Sequence, residues 1–210
     1  MASEGVRVSA ATRRKPRQSR ARASSEALQE AFVRVLIEHG YAGVTVREVA
    51  AVAGVGIGTF YEYVANKQAL AALTIHMRVK ALAQAMQACV DRLRGQDRAT
   101  LVEALINEQI DRIMDDALAW AALFMLERQV STPEAYRKHY AQFVALWAQA
   151  LAAASNPPGS DRLPAVARMV HSLVYGWVTQ CLLTQGPGLD REALRHEAQA
   201  AVQSYLHDQR

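Results

Sequence analysis

The segment between residues 44 and 67 constrains the fold more than any other part of the chain. Thr45 and Glu48 have the T-x-x-E spacing of a capping box, in which each side chain bonds to a free backbone N–H of the other residue. Gly54 suits the left-handed conformation that ends a helix sharply, and a second short helix is expected at about residues 57–63. Two short helices joined by a glycine turn form a helix-turn-helix, whose second helix enters the major groove of DNA.

Most of the sequence after residue 22 has the apolar spacing of amphipathic helices. No stretch shows the sustained alternation with β-branched residues that indicates a strand. Glycine, proline and small polar residues near 95–97, 155–160 and 186–188 separate the helical segments. We therefore predict an all-α chain with about nine helices.

Basic charge is concentrated at the N-terminal end of the chain. Residues 1–80 contain twelve Lys or Arg and six Asp or Glu, whereas residues 81–210 contain twelve and fourteen. Such segregation is expected when one end of a protein meets phosphate. We interpret residues 1–22 as a disordered basic arm. This arm is either a solvated tail or a segment that lies along the minor groove or the phosphates of DNA.

Cysteine usage and hydropathy exclude several classes of protein. Cys89 and Cys181 are the two cysteines and have no C-x-x-C spacing, which excludes a zinc-finger or disulfide framework. We expect no metal and no cofactor. The basic first residues lack the apolar core of a secretory signal. Residues 169–189 contain no Asp, Glu, Lys or Arg, but their apolar residues fall on one helical face, which favours a buried helix over a membrane span. We expect a cytoplasmic protein that does not associate with membranes.

Several short motifs in and around the helix-turn-helix belong to one known pattern. They are Gly40, Thr45, Glu48-Val49-Ala50, Ala53-Gly54-Val55, Gly58-Thr59-Phe60-Tyr61, Lys67 and Leu70. With these motifs, about residues 22–72 resemble the TetR family of transcriptional repressors. Gly56 and Val64 depart from the pattern, because the family often has Ser and Phe there. The resemblance implies a three-helix DNA-binding domain at residues 23–66, followed by a helical effector-binding and dimerisation domain at residues 67–210.

The resemblance also assigns DNA contacts by position. Hydroxyl groups and helix N-termini donate hydrogen bonds to phosphates, and a lysine neutralises one. At Phe60 we favour a place in the core of the domain over a base contact. The expected DNA-binding residues are Thr45, Arg47, Ile57, Gly58, Thr59, Tyr61, Tyr63 and Lys67.

In the remaining two-thirds of the chain the resemblance implies an effector cavity between helices and a homodimer formed by the last two helices, at about residues 163–185 and 190–207. Aromatic and flexible apolar residues concentrate between residues 75 and 150, where Gln109 and His139 add polar groups; any one of them is equally suited to an ordinary core. The expected ligand-binding residues are His76, Trp120, Phe124, Met125, Tyr140, Phe143 and Trp147. The expected dimer residues are Val170, Val174, Gly176, Trp177 and Cys181, whose stripe also suits an intrachain core helix.

Enzymatic motifs are absent from the sequence. There is no G-x-S-x-G, H-E-x-x-H or Walker sequence, and the glycines at 54, 56 and 58 follow a helix where a dinucleotide fingerprint needs a strand. We therefore predict a regulator without enzymatic activity: a repressor released from a palindromic double-stranded DNA operator by a small apolar or aromatic effector. A constitutive DNA-binding factor without effector and an activator are the alternatives.

Overall fold

Nine helices and no strand make up the part of the chain that the structure, a computed structural model, describes: residues 15–207, with side chains from Arg20 onward. The all-α prediction with about nine helices is therefore confirmed. The helices are α1 (Lys15–Gly43), α2 (Val46–Val52), α3 (Ile57–Tyr63), α4 (Lys67–Leu93), α5 (Arg98–Met114), α6 (Ala117–Val130), α7 (Pro133–Ala153), α8 (Leu163–Gln185) and α9 (Arg191–His207).

Helix α1 begins earlier than the sequence pattern indicated. The arm predicted to be disordered up to residue 22 is helical from Lys15 onward, and its first fourteen residues lie outside the described range. Pro16 is compatible with a first helical turn, and Nε of Arg22 donates to Oε1 of Glu26 at 2.7 Å, one turn further on. A dense basic run is thus no barrier to helix where acidic partners follow at the right spacing. Gly40, at φ 64° and ψ 167°, interrupts the helix at the predicted position.

The two helices of the helix-turn-helix have the predicted bounds, but their cap differs in detail. Oγ1 of Thr45 accepts a hydrogen bond from the backbone N–H of Glu48 at 3.2 Å. The reciprocal bond of a capping box is not formed, because the carboxylate of Glu48 lies 3.0 Å from Nε2 of His39 on α1. Gly54 adopts φ 68° and ends α2 as predicted. The cap fixes the start of α2, while the carboxylate ties α2 to its neighbour.

Helix α4 runs from the DNA-binding end into the rest of the molecule. Asn66 caps it by accepting from the N–H of Ala69 at 2.8 Å. The helix packs on α1 and on α5, α6 and α7. Beyond its C-terminus, the N–H of Gly95 donates to the carbonyl of Ala153 at 2.9 Å, and Ser155 donates back to Gln96 at the same distance. The far end of α4 is therefore fastened to the end of α7.

Helices α5 to α9 form the larger bundle. Helix α8 packs on α6, α7 and α9, and α9 packs on α5. Arg191 and Arg195 of α9 both pair with Asp111 of α5, which adds an ionic contact at the edge of a predominantly apolar core. None of the described helices is long and apolar enough to cross a membrane. Within the described range no group of three or more His, Cys, Asp or Glu residues is arranged to hold a metal ion.

Candidate functional site

The recognition helix α3 has one outward face and one buried face. Ile57 and Tyr61 are 44% and 56% exposed, and a Cβ added at Gly58 would meet no atom within 4 Å. Tyr61 lies one turn beyond Ile57 and Gly58, so the three positions share one side of the helix. Phe60 is fully buried, with its ring edge-on to Tyr61 at 5.4 Å. Phe60 therefore belongs to the core of the domain, as we favoured from the sequence, and the outward surface of α3 includes the other three.

The start of α2 presents polar side chains beside that face. Thr45 and Arg47 are exposed, and the hydroxyl of Thr45 uses a lone pair for the cap, which leaves its proton free to donate to a phosphate. Thr59 and Tyr63 are half-buried. Seven of the eight expected DNA-contact residues are therefore at least partly accessible without breaking a side-chain bond to another helix.

Lys67 is the eighth, and its side chain is engaged within the protein. Its Nζ donates to the carbonyl oxygens of Tyr41 at 3.0 Å and Val44 at 2.9 Å, and lies 4.7 Å from the centre of the Tyr41 ring. The ammonium group thus closes the carbonyl-rich end of α1 and the turn that follows it, a favourable place for a cation. We expected Lys67 mainly as a phosphate ligand; its position makes it first a connector between α1 and α4, with one N–H left for DNA.

A cavity of about 50 Å³ lies within the larger bundle, between α4, α5, α6, α7 and α8. Four of the predicted ligand-binding residues line it: Trp120, Phe124, Tyr140 and Phe143. The polar residues Gln109 and His139 do so as well. The predicted concentration of aromatic residues in this region therefore surrounds a real cavity.

Three predicted ligand-binding residues do not line the cavity. Met125 is 56% exposed, because it is one position, or 100° of helix rotation, away from Phe124. Trp147 is fully buried among other core side chains. His76 does not line the cavity, but its Nδ1 lies 3.4 Å from Nε2 of His139, which does. The residue types correctly indicated the region of the cavity, but the position of each residue around its helix determines which side chains line it.

Other lining residues were missed, and they come from all five helices around the cavity. Helix α4 contributes Ile75, Arg78, Val79 and Leu82, and α8 contributes His171 and Tyr175. The α4 residues carry the periodicity of any core helix, and no local signal separates a cavity wall from a packed interior. His171 had been visible as a polar residue within an apolar stretch, which is the one signal that pointed to it.

Polar groups of the cavity are joined in a chain that crosses three helices. Nδ1 of His139 lies 3.2 Å from Oε1 of Glu127, and Nε2 of His139 faces His76 of α4. Burial lowers the pKa of His76 from its ordinary value, and the neighbouring His139, Lys80 and Lys138 lower it further. Nη1 of Arg78 donates to Oδ2 of Asp116 at 2.6 Å, which ties α4 to the start of α6.

Aromatic rings form a continuous wall on the other side. The ring of Phe124 lies 5.4 Å from that of Trp120 and 5.9 Å from that of Tyr175. His171 stacks on Phe143 with an interplanar angle of 8°. Burial lowers the pKa of His171 to about 4 and raises that of the Tyr175 hydroxyl. On this side the cavity wall is therefore aromatic, and at neutral pH it includes the uncharged imidazole of His171.

The predicted dimer residues separate into two groups. Val170, Val174 and Cys181 are buried inside the chain's own core, on the side of α8 that faces the rest of the bundle. Helical spacing placed them on the inward face of α8. Gly176 and Trp177 lie on the outward side, beside a groove that Ala201 and Glu197 of α9 line with them. The indole N–H of Trp177 donates to the carbonyl of Leu194 at 3.2 Å, which holds the ring over α9.

The chain is similar to one known protein family and to several solved structures. Residues 28–73 match the model of the family described as bacterial regulatory proteins, tetR family. A structure described as a putative TetR-family transcriptional regulator from Mesorhizobium loti has a TM-score of 0.71 at 16% identity, covering 90% of this chain and 97% of the other. The fatty acid degradation regulator FadR from Bacillus halodurans has a TM-score of 0.70 at 19% identity, covering 85% and 94%.

A third similar structure was solved with a ligand. It is described as the transcriptional regulator FadR from Bacillus subtilis in complex with stearoyl-CoA, with a TM-score of 0.66 at 17% identity, covering 84% of this chain and 96% of the other. No curated protein matches the sequence. The resemblance found in the sequence is confirmed: the chain carries the helix-turn-helix DNA-binding domain of the TetR family, and the described helices have the TetR-type fold.

Proposed function

We propose that the protein is a homodimeric transcriptional repressor that binds a palindromic operator and is released from it by a small apolar or aromatic ligand. The observation that carries this proposal is the double role of α4. Its first residue, Lys67, is bonded to the end of α1 in the DNA-binding domain, and its Ile75, Val79 and Leu82 form one wall of the cavity. A domain division at residues 23–66 and 67–210 puts this helix on the boundary.

A ligand in the cavity affects DNA affinity only if it favours one position of the DNA-binding domain over another. Helix α4 supplies one contact between the two regions, and the packing of α1 on α6 supplies a second. Movement of α4 would change the separation of two recognition helices, which must match about 34–36 Å, one turn of DNA. A coupling of about 5–150-fold in operator affinity would be typical of such a device.

The outward face of α8 and α9 supports a two-fold dimer. Met169 and Trp177 are exposed apolar residues there, and Gly176 leaves room beside them for a second helix. We propose that this face meets its copy in a second chain, so that the operator repeats the symmetry of the dimer. The protein would act in the cytoplasm, where a bacterial operator is found.

The ligand-bound neighbour supports an effector role for the cavity. The Bacillus subtilis regulator holds stearoyl-CoA in a similar fold. An apolar cavity with a few polar groups is the usual form of a small-molecule site. In this chain the cavity is small and has aromatic rings along one side, which favours a ligand more compact than an acyl-CoA.

Selection of bound DNA from a random pool is the first test. Imperfect palindromes are the expected product, and recovery of asymmetric or unrelated sequences would contradict the symmetric dimer. Each ligand that raises the melting temperature is then added to an operator-binding assay. Loss of binding supports the repressor; unchanged binding would identify the constitutive factor, and tighter binding would identify a co-repressor or an activator.

Dimerisation is tested with a matched pair of surface variants. Trp177→Asp should convert the dimer to a monomer in sedimentation analysis, whereas Met125→Asp, which also replaces an exposed apolar residue, should leave the dimer intact. A stable dimer of the Trp177→Asp variant would contradict the proposed interface.

A further inference from the structure

Two buried polar side chains that line the cavity each have an atom without a hydrogen-bond partner. Gln109 of α5 and His171 of α8 are each 2% exposed and both line the cavity. Within the described part of the chain, Oε1 of Gln109 and Nδ1 of His171 have no hydrogen-bond partner. Buried polar groups are normally bonded, and leaving them unbonded costs stability. These two groups are therefore available to a ligand that carries matching polar atoms.

The chemistry of the two groups specifies what a matching atom must do. A carboxamide oxygen accepts a hydrogen bond and its nitrogen donates one, and a neutral imidazole has one nitrogen of each kind. A hydroxyl group both donates and accepts, so it satisfies either group in whichever orientation the carboxamide or the imidazole takes. An apolar ligand would leave both groups unbonded.

The charges around the cavity disfavour an anionic ligand. Arg78 is the only Lys or Arg in the described wall, and its guanidinium already bonds to Asp116. The carboxylate of Glu127 also faces the cavity and would repel an anion. His171 adds no positive charge at neutral pH, because burial lowers its pKa to about 4. A ligand that enters here should be uncharged.

Shape and wall chemistry favour an aromatic ring. Trp120, Phe124 and Tyr175 form a row with centroid separations of 5.4 and 5.9 Å, suited to edge-to-face contact with one more ring. The cavity volume of about 50 Å³ corresponds to only a few water molecules. A single ring would enter with modest rotation of side chains, whereas a long acyl chain would require a larger rearrangement.

We propose that the effector is an uncharged single-ring phenol, whose ring packs against Trp120, Phe124 and Tyr175 and whose hydroxyl groups bond to Gln109 and His171. This inference rests on the proposed function, because it names the class of ligand that would release the operator. A phenolic hydroxyl keeps its proton at neutral pH, since its ordinary pKa is about 10.

Calorimetry on the full-length protein without DNA tests the ligand class directly. The probes are resorcinol and phenol, with toluene as the ring without a hydroxyl, benzoate as the anionic ring and stearoyl-CoA as the long acyl ligand. We expect resorcinol and phenol to bind at least about tenfold more tightly than toluene or benzoate. Tighter binding of toluene, benzoate or stearoyl-CoA, or no binding of either phenol, would overturn the proposal.

Substitutions test the two anchors. Gln109→Leu and His171→Phe should each weaken resorcinol about tenfold or more while leaving toluene binding within about threefold. Gln129→Leu replaces an exposed glutamine of α6 and should change neither. Gln109→Leu should also keep or raise the melting temperature, because it removes an unbonded polar group from the interior. Unchanged resorcinol affinity in both anchor variants would overturn the proposal; if one variant fails to fold, the other decides.

The operator-binding assay distinguishes failure of the proposed ligand class from failure of the proposed repressor function. If resorcinol binds through Gln109 and His171 but leaves operator affinity unchanged, the ligand class stands and the release of a repressor fails. If stearoyl-CoA or benzoate releases the operator while neither phenol binds, the repressor stands and the ligand class fails.

Discussion

The DNA-binding end and the cavity are built from very different stretches of sequence. The expected DNA-binding residues and the helix caps beside them lie within residues 45–67, where each helix boundary has a local cause such as the hydroxyl of Thr45 or the positive φ of Gly54. The cavity takes its walls from five helices between Ile75 and Tyr175. One site depends on short-range geometry and the other on the packing of distant segments. The DNA-binding end can therefore be predicted from the sequence, whereas the cavity cannot.

The largest effect should separate the two ends from each other. Phe60→Ala removes a fully buried ring from the DNA-binding domain and should lower the free energy of unfolding of that domain by about 3–5 kcal/mol. Operator binding should disappear, while calorimetric binding of a cavity ligand persists. Tyr61→Ala, which removes an exposed ring, should reduce operator binding with little change in unfolding. Loss of ligand binding in Phe60→Ala would mean that the two ends fold as one unit.

The second-largest effect concerns the cavity and is measured as the pH dependence of the free energy of unfolding. The pKa of His171 is lowered from 6.5 to about 4, so the folded protein favours the neutral form. The unfolded chain therefore takes up the proton more readily, and the free energy of unfolding falls by about 3 kcal/mol as the pH drops from 6.5 to about 4. His171→Phe should flatten the decline in unfolding free energy between pH 7 and pH 4.5, whereas replacement of the exposed His196 by Gln should not. An unchanged decline would show that His171 is protonated without cost in the folded state.

A smaller effect lies where the two ends meet. Lys67→Met leaves the carbonyls of Tyr41 and Val44 without their donor and should lower the free energy of unfolding by about 1–3 kcal/mol. The slope of log affinity against log salt should change by less than about one unit, because the ammonium is already bonded. Lys80→Met, at an exposed position of α4, serves as the control. Unchanged stability with a full unit of salt slope would restore Lys67 as a phosphate ligand.

The smallest effect tests how local the DNA-binding end is. Thr45→Ala removes the cap of α2 and should cost about 1 kcal/mol of stability. Thr45→Ser keeps the hydroxyl and should restore both stability and operator affinity, as measured by denaturant unfolding and DNA titration. If Ser restores stability but not affinity, the methyl group of Thr45 contributes to the interface.

The fold and the helix-turn-helix were predictable because their signals repeat along the chain. The caps and the glycine turn placed one helix between Thr45 and Gly54 and a second at about residues 57–63, where α2 and α3 lie. Helical periodicity could not assign an inward residue to core, cavity or partner. Val170, Val174 and Cys181 were placed at a dimer interface but lie in the chain's own core, and Met125 points outward beside Phe124. Such assignments depend on which other helices pack against α6 and α8.

Lys67 is a residue whose place in the motif was predicted but whose bonding partners were not. Lys67 was correctly recognised as part of the motif, yet its partners are the carbonyl groups of Tyr41 and Val44. Every residue has a backbone carbonyl, so the sequence does not indicate which carbonyls a lysine will bond. Glu48 likewise took His39 as its partner where a capping box would use a backbone N–H. Side-chain type predicted that these residues would bond; tertiary packing chose the partner.

Because the C-terminal end of α4 is bonded to the end of α7, we expect any tilt of α4 to pivot about that end. With Gly95 and Gln96 bonded to Ala153 and Ser155, rotation is centred near the C-terminus of the helix. At 1.5 Å per residue, Val79 lies about 21 Å from that pivot and Lys67 about 39 Å from it. A sideways push of about 1 Å at the cavity would therefore become nearly 2 Å at the DNA-binding end. This mechanical advantage would let a small ring compound disturb the spacing of two recognition helices without unfolding anything between them.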